Sequence, residues 1–191
     1  MRYIKYHMEL HQLQTSYLPD QDRLLVKFSF AEKSSDGAPS GRQEIHLLFT
    51  RRTSMKFWPA LLEAMTKQVR MSKPGAAHAS SEIVQMEHEA SLAAMQEGGV
   101  FNKPYESNVD GWPLGKDALL PVDIQFHVHA TAPFRMEFVV DGGKNFEVAM
   151  GSRLLHGFCK LFQDAVEKAD WGFTLEMTSS TPEAPPAHLL N

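Results

Sequence analysis

The spacing of apolar residues switches between two periods along the chain, and this limits the fold more than any other feature. In RLLVKFSFA, Leu24, Val26, Phe28 and Phe30 alternate with Leu25, Lys27 and Ser29, the two-residue period of a strand with one buried face. The PDQD before it is turn chemistry, so HQLQTSYL is the expected hairpin partner. A polar loop, EKSSDGAPSG, has no apolar anchor and reads as mobile. RQEIHLLFT then resumes the alternation through Ile45, Leu47 and Phe49. From Met55 the spacing becomes three and four: Met55, Trp58, Leu61, Leu62, Met65 and Val69 form a helical stripe, with Thr53 or Ser54 as its N-cap. Pro59 fits only an opening turn, so the helix is expected to start late or to kink there.

The last third repeats this order. VDIQFHVHA, FRMEFVVD and NFEVAM alternate as strands, and SRLLHGFCKLFQDAVEKA carries a stripe of Leu155, Phe158, Leu161, Phe162 and Ala165. WGFTLEM reads as one more strand. Between the halves, EIVQMEHEASLAAMQEG is a weakly anchored helix whose thin stripe is Ile83, Met86, Ala90 and Ala93. Residues 99–121 are irregular and rich in Gly, Pro and Asn, a length at which such segments are often functional or flexible. The expected fold is therefore α+β, with antiparallel sheets and helices packed on one face. Residues 1–177 are expected to form one globular domain, with halves of about 1–72 and 121–177. Residues 178–191, rich in proline, read as a disordered tail. The helix stripes align at a shift of one hundred (Met55 with Leu155, Trp58 with Phe158, Leu61 with Leu161, Leu62 with Phe162), so an internal duplication of a β-β-β-α unit is a hypothesis.

With 43% hydrophobic and 22% charged residues, a 191-residue chain has the make-up of a folded domain rather than of a disordered one. No run approaches the ~20 apolar residues that cross a bilayer. The opening MRYIKYHMEL breaks its apolar residues with Lys, His and Glu, unlike a signal peptide. The single cysteine, Cys159, has no internal partner, and a cytoplasmic location is expected. Charge is uneven. Residues 1–72 hold 11 Lys/Arg against 7 Asp/Glu, a surplus of four; residues 73–191 hold 8 against 16, a deficit of eight, which together give the net −4. Such asymmetry can mark an anion-binding half or mutually attracting surfaces.

No P-loop, helix-opening GxGxxG, GxSxG elbow or CxxC pair is present. Three groups of residues are candidates for chemistry. Arg51 and Arg52 fall where a strand hands over to a helix, and Arg153 occupies the equivalent junction in the second half. Cations there oppose the helix dipole, and an anion such as a phosphate would offset both. Phe101, Tyr105 and Trp112 lie in the irregular segment, where aromatics can anchor a partner. His127 and His129, one residue apart, have metal-ligand spacing. Matching apolar faces sets Phe126 opposite Phe138 and Val128 opposite Met136 across a three-residue TAP loop. That register places His127 across from Glu137 and His129 across from Arg135. Arg135 would repel a metal on this face, and alternation alone accounts for its polarity, so no tightly bound metal and no cofactor are expected.

The leading expectation for function is a non-enzymatic interaction or assembly module, homo-oligomeric or with a protein partner, and with no membrane. The alternative is binding of nucleic acid or a phosphorylated ligand through the basic first half. A metal-dependent enzyme using His127, His129 and Glu137 is the third.

Overall fold

The alternation of residues 23–31 becomes the central strand of a three-strand antiparallel meander. In the structure, a computed structural model, residues 9–33, 39–100, 104–106, 108–142 and 144–177 are described. Strands β1 (Glu9–Leu18), β2 (Arg23–Lys33) and β3 (Pro39–Thr50) pair in that order, and β4 (Pro121–His127), β5 (Phe134–Val140) and β6 (Lys144–Met150) form a second meander. Helix α1 (Arg51–Ser72) follows the first and α3 (Ser152–Ala169) the second; α2 (Ser80–Glu97) lies between, after a short 3-10 turn. This is the α+β class expected, with antiparallel pairing throughout both sheets. The order β-β-β-α recurs, but the helix stripes diverge: Met55 is 51% exposed where Leu155 is buried. Recurrence of order alone does not establish a duplication.

One core serves both halves. Leu24, Val26 and Phe28 of β2 are fully buried and join a cluster that takes in both sheets, α1 and α3. The Phe28 ring lies 5.5 Å from Phe138 and 5.8 Å from Phe146, and Phe49 lies 5.2 Å from both Phe57 and Phe162. The polar loop expected to be mobile shrinks at its ends, since β2 and β3 extend into it; its residues 34–38 lie outside the described residues, as does the tail 178–191.

The first helix begins a turn earlier than its stripe suggests. The last residue of β3, Thr50, is the N-cap, and its hydroxyl accepts from the Thr53 N–H at 3.1 Å. Pro59 therefore sits inside the helix. It lies on the exposed side, where water can take the Met55 carbonyl that a proline cannot serve. At 100° per residue Met55 falls at the margin of the stripe. Phe57, not Met55, completes it, with Trp58, Leu61, Leu62, Met65 and Val69 all buried.

The second helix buries a different face from the one expected. Val84, His88 and Met95 are buried, whereas Met86, Ala90 and Ala93 are exposed. Its neighbour α3 explains this. A Cβ on Gly157 would come within 2.9 Å of the Met95 methyl carbon, so glycine there lets the two helices close up. His88 and His156 face each other with ring centroids 5.4 Å apart. A histidine counted as polar hides the stripe.

WGFTLEM is not a strand. Its carbonyls are taken by helix side chains instead of a ladder: Trp58 Nε1 donates to the Glu176 carbonyl and Gln163 Nε2 to that of Leu175, both at 2.7 Å. Trp171 Nε1 donates to Asp22 Oδ1 in the β1–β2 turn, where Asp22 adopts φ 51°. Hydrogen bonds from Trp171 and then Tyr17 hold the Asp22 carboxyl below its ordinary range.

Two expectations follow. Trp58→Phe keeps the stacking on Phe162 (6.3 Å, 7°) and loses the bond to Glu176. It should cost about 1 kcal/mol in denaturant unfolding and selectively speed amide exchange across residues 171–177. Burial pushes His156 down to about 4, with neighbouring His88 adding to it and Glu87 opposing; burial and Lys160 also lower His88, against Glu89. The unfolded chain takes up these protons from about pH 6.5 and the folded chain does not. Stability should therefore be full above that pH and fall toward pH 4, and His156→Gln should flatten the fall in urea midpoints.

Candidate functional site

Strand β4 is one edge of its sheet, and among the described residues it pairs only with β5. The strand is poorly suited to adding a long partner. Proline opens it, the register slips between Pro121 and Asp123, and Asp123 Oδ1 takes the Ile124 N–H at 2.9 Å while Oδ2 takes Gln125 Nε2. These are devices that blunt an edge. Side chains remain open, however: Val122 is 65% and Leu120 42% exposed. Between β4 and the first turns of α1 runs a cleft of about 320 Å³, with Phe57, Ala60, Ile124 and Phe126 as apolar lining. Arg52 and Lys56, one turn apart on α1, line it with Thr53 and, from β4, Asp123, whose carboxylate is engaged on Ile124 and Gln125; neither cation has an ion-pair partner among the described residues. No acidic residue stands in that first helical turn to offset them.

The three candidate arginines have different surroundings. Arg52 lines the cleft, while the charge of Arg51 acts on Asp22. Arg153 Nη2 donates to the Ala94 carbonyl at 3.1 Å, where a cation suits the C-terminal end of α2. Its role is accounted for by capping.

The histidine pair also separates. The strand register differs from the expected one: Phe126 opposes Met136, Ile124 opposes Phe138 and His127 opposes Arg135. Strand β4 ends at His127, so residues 128–133 form the connection instead of TAP alone. Gln68 of α1 is the reason this longer loop holds, since its amide donates to the carbonyls of His129 and Ala132. His127 Nε2 still reaches Glu137 Oε2, at 3.0 Å along the diagonal. His129 is in the loop, its Nδ1 accepting from Thr131. No three His, Cys, Asp or Glu residues come together in a metal-holding group among the described residues. Cys159 is fully buried against Met65, and burial pushes its thiol up to about 12.

Tyr105 and Trp112 belong to a strap over the outer face and free edge of β3; Phe101 lies outside the described residues. Backbone bonds tie the strap down, from Glu44 N to the Gly111 carbonyl and from Leu48 N to that of Leu119. Beneath it, Glu44 is 3% exposed, a buried carboxylate that sequence reading missed. Glu44 accepts from the Tyr105 hydroxyl at 2.6 Å, its other oxygen lies 2.7 Å from His46 Nε2, and Trp112 meets the His46 ring edge-on at 4.8 Å. Arg42 pairs with Glu106 of the strap. Burial, followed by the bond to Glu44 and its charge, raises the Tyr105 pKa well above its ordinary value. Alternation placed Glu44 and His46 off the core face, and a polar residue there looks the same whether solvent or a strap covers it.

Compared with protein-family models, curated proteins and solved structures, the chain matches none. Among the described residues no helix is long and apolar enough to cross a membrane.

Tyr105→Phe leaves one oxygen of a buried carboxylate short of a donor. It should cost about 1.5–3 kcal/mol in urea unfolding and release the protected amides of Glu44 and Leu48 to exchange. Loss of stability without faster exchange at those two amides would show that the strap does not depend on the tyrosine.

Proposed function

We propose that this chain is a non-enzymatic interaction module that receives an extended, acidic segment of a partner protein in the cleft between α1 and β4. The observation that carries this reading is an apolar cleft at an open sheet edge whose two cations, Arg52 and Lys56, lack a described counter-ion. Apolar side chains of a bound segment would enter between Phe57, Ile124 and Phe126, and its carboxylates would meet the rim. Because Asp123 blunts the backbone edge, recognition would rest on side chains more than on strand addition. Two cations on a chain of net charge −4 give little hold on a polyanion, since nucleic-acid binders neutralise several phosphates at once. A cytoplasmic setting goes with this reading, as the lone thiol is free and buried.

The test uses fluorescence anisotropy with labelled extended peptides in which Leu or Phe alternates with Glu, against the same peptides with Lys for Glu. The acidic set should bind and the basic set should not. Arg52→Ala with Lys56→Ala should weaken binding about tenfold, at up to ~1 kcal/mol for each exposed cation, and Val122→Glu should weaken it further. Binding indifferent to all three changes would sink the proposal. So would sedimentation showing a dimer that Val122→Glu dissolves, which would make a second copy the occupant, or preference for an oligonucleotide over the acidic peptides.

A further inference from the structure

Helix α2 is the least anchored of the three helices. Nine residues of α1 and nine of α3 are buried, against four of α2, and of those four only Val84 and Met95 are apolar. The core cluster takes in just Val84 from this helix, with Ile83 packed at its margin. A second cleft, of about 400 Å³, opens among the C-terminal half of α1, the start of α2, the 128–133 loop and the first turn of α3. It opens one flank of the α2–α3 seam toward solvent, where Glu87 and His156 share the lining with Gln68, Ser72 and Thr131.

The middle of that seam is filled by two histidines. His88 of α2 and His156 of α3 are 6% and 1% exposed, with ring centroids 5.4 Å apart. The Nδ1 of each is buried with no hydrogen-bond partner among the described residues, although buried polar atoms are nearly always bonded. Burial keeps both rings neutral, His156 down to about 4. The charges around the pair do not reverse this. Lys160 of α3 repels a proton on His88, and Glu89, next to His88 on α2, attracts one. Glu87 Oε2 stands 3.9 Å from His156 Nε2, but its other oxygen already accepts from Lys73 at 2.6 Å. From α1 and the loop the cleft shows the uncharged Gln68, Ser72 and Thr131. A proton on one ring therefore sets a poorly matched charge beside the other.

Opening the seam removes that cost. A histidine in water takes up its proton near pH 6.5, so both rings bind protons more tightly once α2 has left α3. The helix has further ties toward its ends, where Arg70 Nε donates to Ser80 Oγ and Arg153 Nη2 to the Ala94 carbonyl, both at 3.1 Å. We infer that α2 is an acid-released helix: protonation of the facing pair His88 and His156 frees it from α3, while both sheets, α1 and α3 keep their common core. No Phe, Tyr or Trp lies in α2, so the ring contacts that close the core stay intact. The inference does not rest on the partner reading given for the α1–β4 cleft.

Hydrogen exchange of the full chain, corrected for the intrinsic rate at each pH, tests this. Between pH 7 and pH 5, protection of the α2 amides should fall about twentyfold from His156 alone, whose pKa is about 4 with the seam closed and about 6.5 with it open. Whole-chain unfolding takes up the same protons, so urea dependence separates the two. Low urea should leave α2 exchange nearly unchanged and should speed exchange in β2 and β5. His156→Gln should remove most of the fall in α2. His88→Gln should reduce it, and keeps the test decisive where His156→Gln fails to fold. Protection of α2 that is equal at pH 7 and pH 5 overturns the inference. So does α2 exchange that shares the protection and urea dependence of β2 at both pH values, or a fall as large in each folded variant as in the parent chain.

Discussion

The contact of Phe28 with Phe138 and Phe146 is the constraint on which the rest depends. It joins the apolar face of the first sheet to that of the second, and Phe49, Phe57, Phe158 and Phe162 extend it into α1 and α3. Edge-on and tilted ring pairs contribute about 0.5–1.5 kcal/mol each beyond the area they bury. More important is their distribution. The rings come from both meanders and the helix after each, so neither half can complete its core without the other.

Closing one core from two small sheets leaves outer faces and edges to be managed, and the chain treats its edges unequally. The β3 edge is covered by the strap, and the cover is held by a carboxylate buried under it, Glu44, with partners on both oxygens. Burial of such a group is tolerable only when it is fully bonded. The β4 edge is left open and merely blunted by Pro121 and Asp123. An edge that is disarmed for strand pairing but still shows Val122 is suited to side-chain contact.

Much of the fold was legible because period two and period three-to-four are direct consequences of strand and helix geometry. Five strands of the meanders, helices α1 and α3 and most core residues follow from spacing; β1 follows from the turn before β2, and α2 from its helix-forming residues. What spacing missed involved partners far away in sequence. Nothing within WGFTLEM reveals that Trp58 and Gln163 will take its carbonyls, and nothing local to the β4–β5 connection reveals that Gln68 will hold a longer loop. The face of α2 was misread because its buried stripe contains His88, and because the pocket for Met95 is made by a glycine on α3. The site was legible only in pieces. Arg52 was visible as an unexplained cation, but its separation from Arg51 and Arg153 depends on three-dimensional neighbours, and the burial of His156 depends on α2.

The two clefts differ for a reason that lies in α1. At 22 residues the helix is ~33 Å long, and its opening turns wall one cleft while its closing turns wall the other. The opening turns carry Arg52 and Lys56 beside a sheet edge, so charge there is set against open solvent. The closing turns are packed against α2 and α3, where Met65 and Val69 share the wall with a buried neutral imidazole and a helix end. Charges there work in a drier setting, where each unpaired group weighs more. Arg52 and Lys56 therefore stay solvated at one end of the helix while His156 stays neutral at the other, and the length of α1 keeps the two clefts apart.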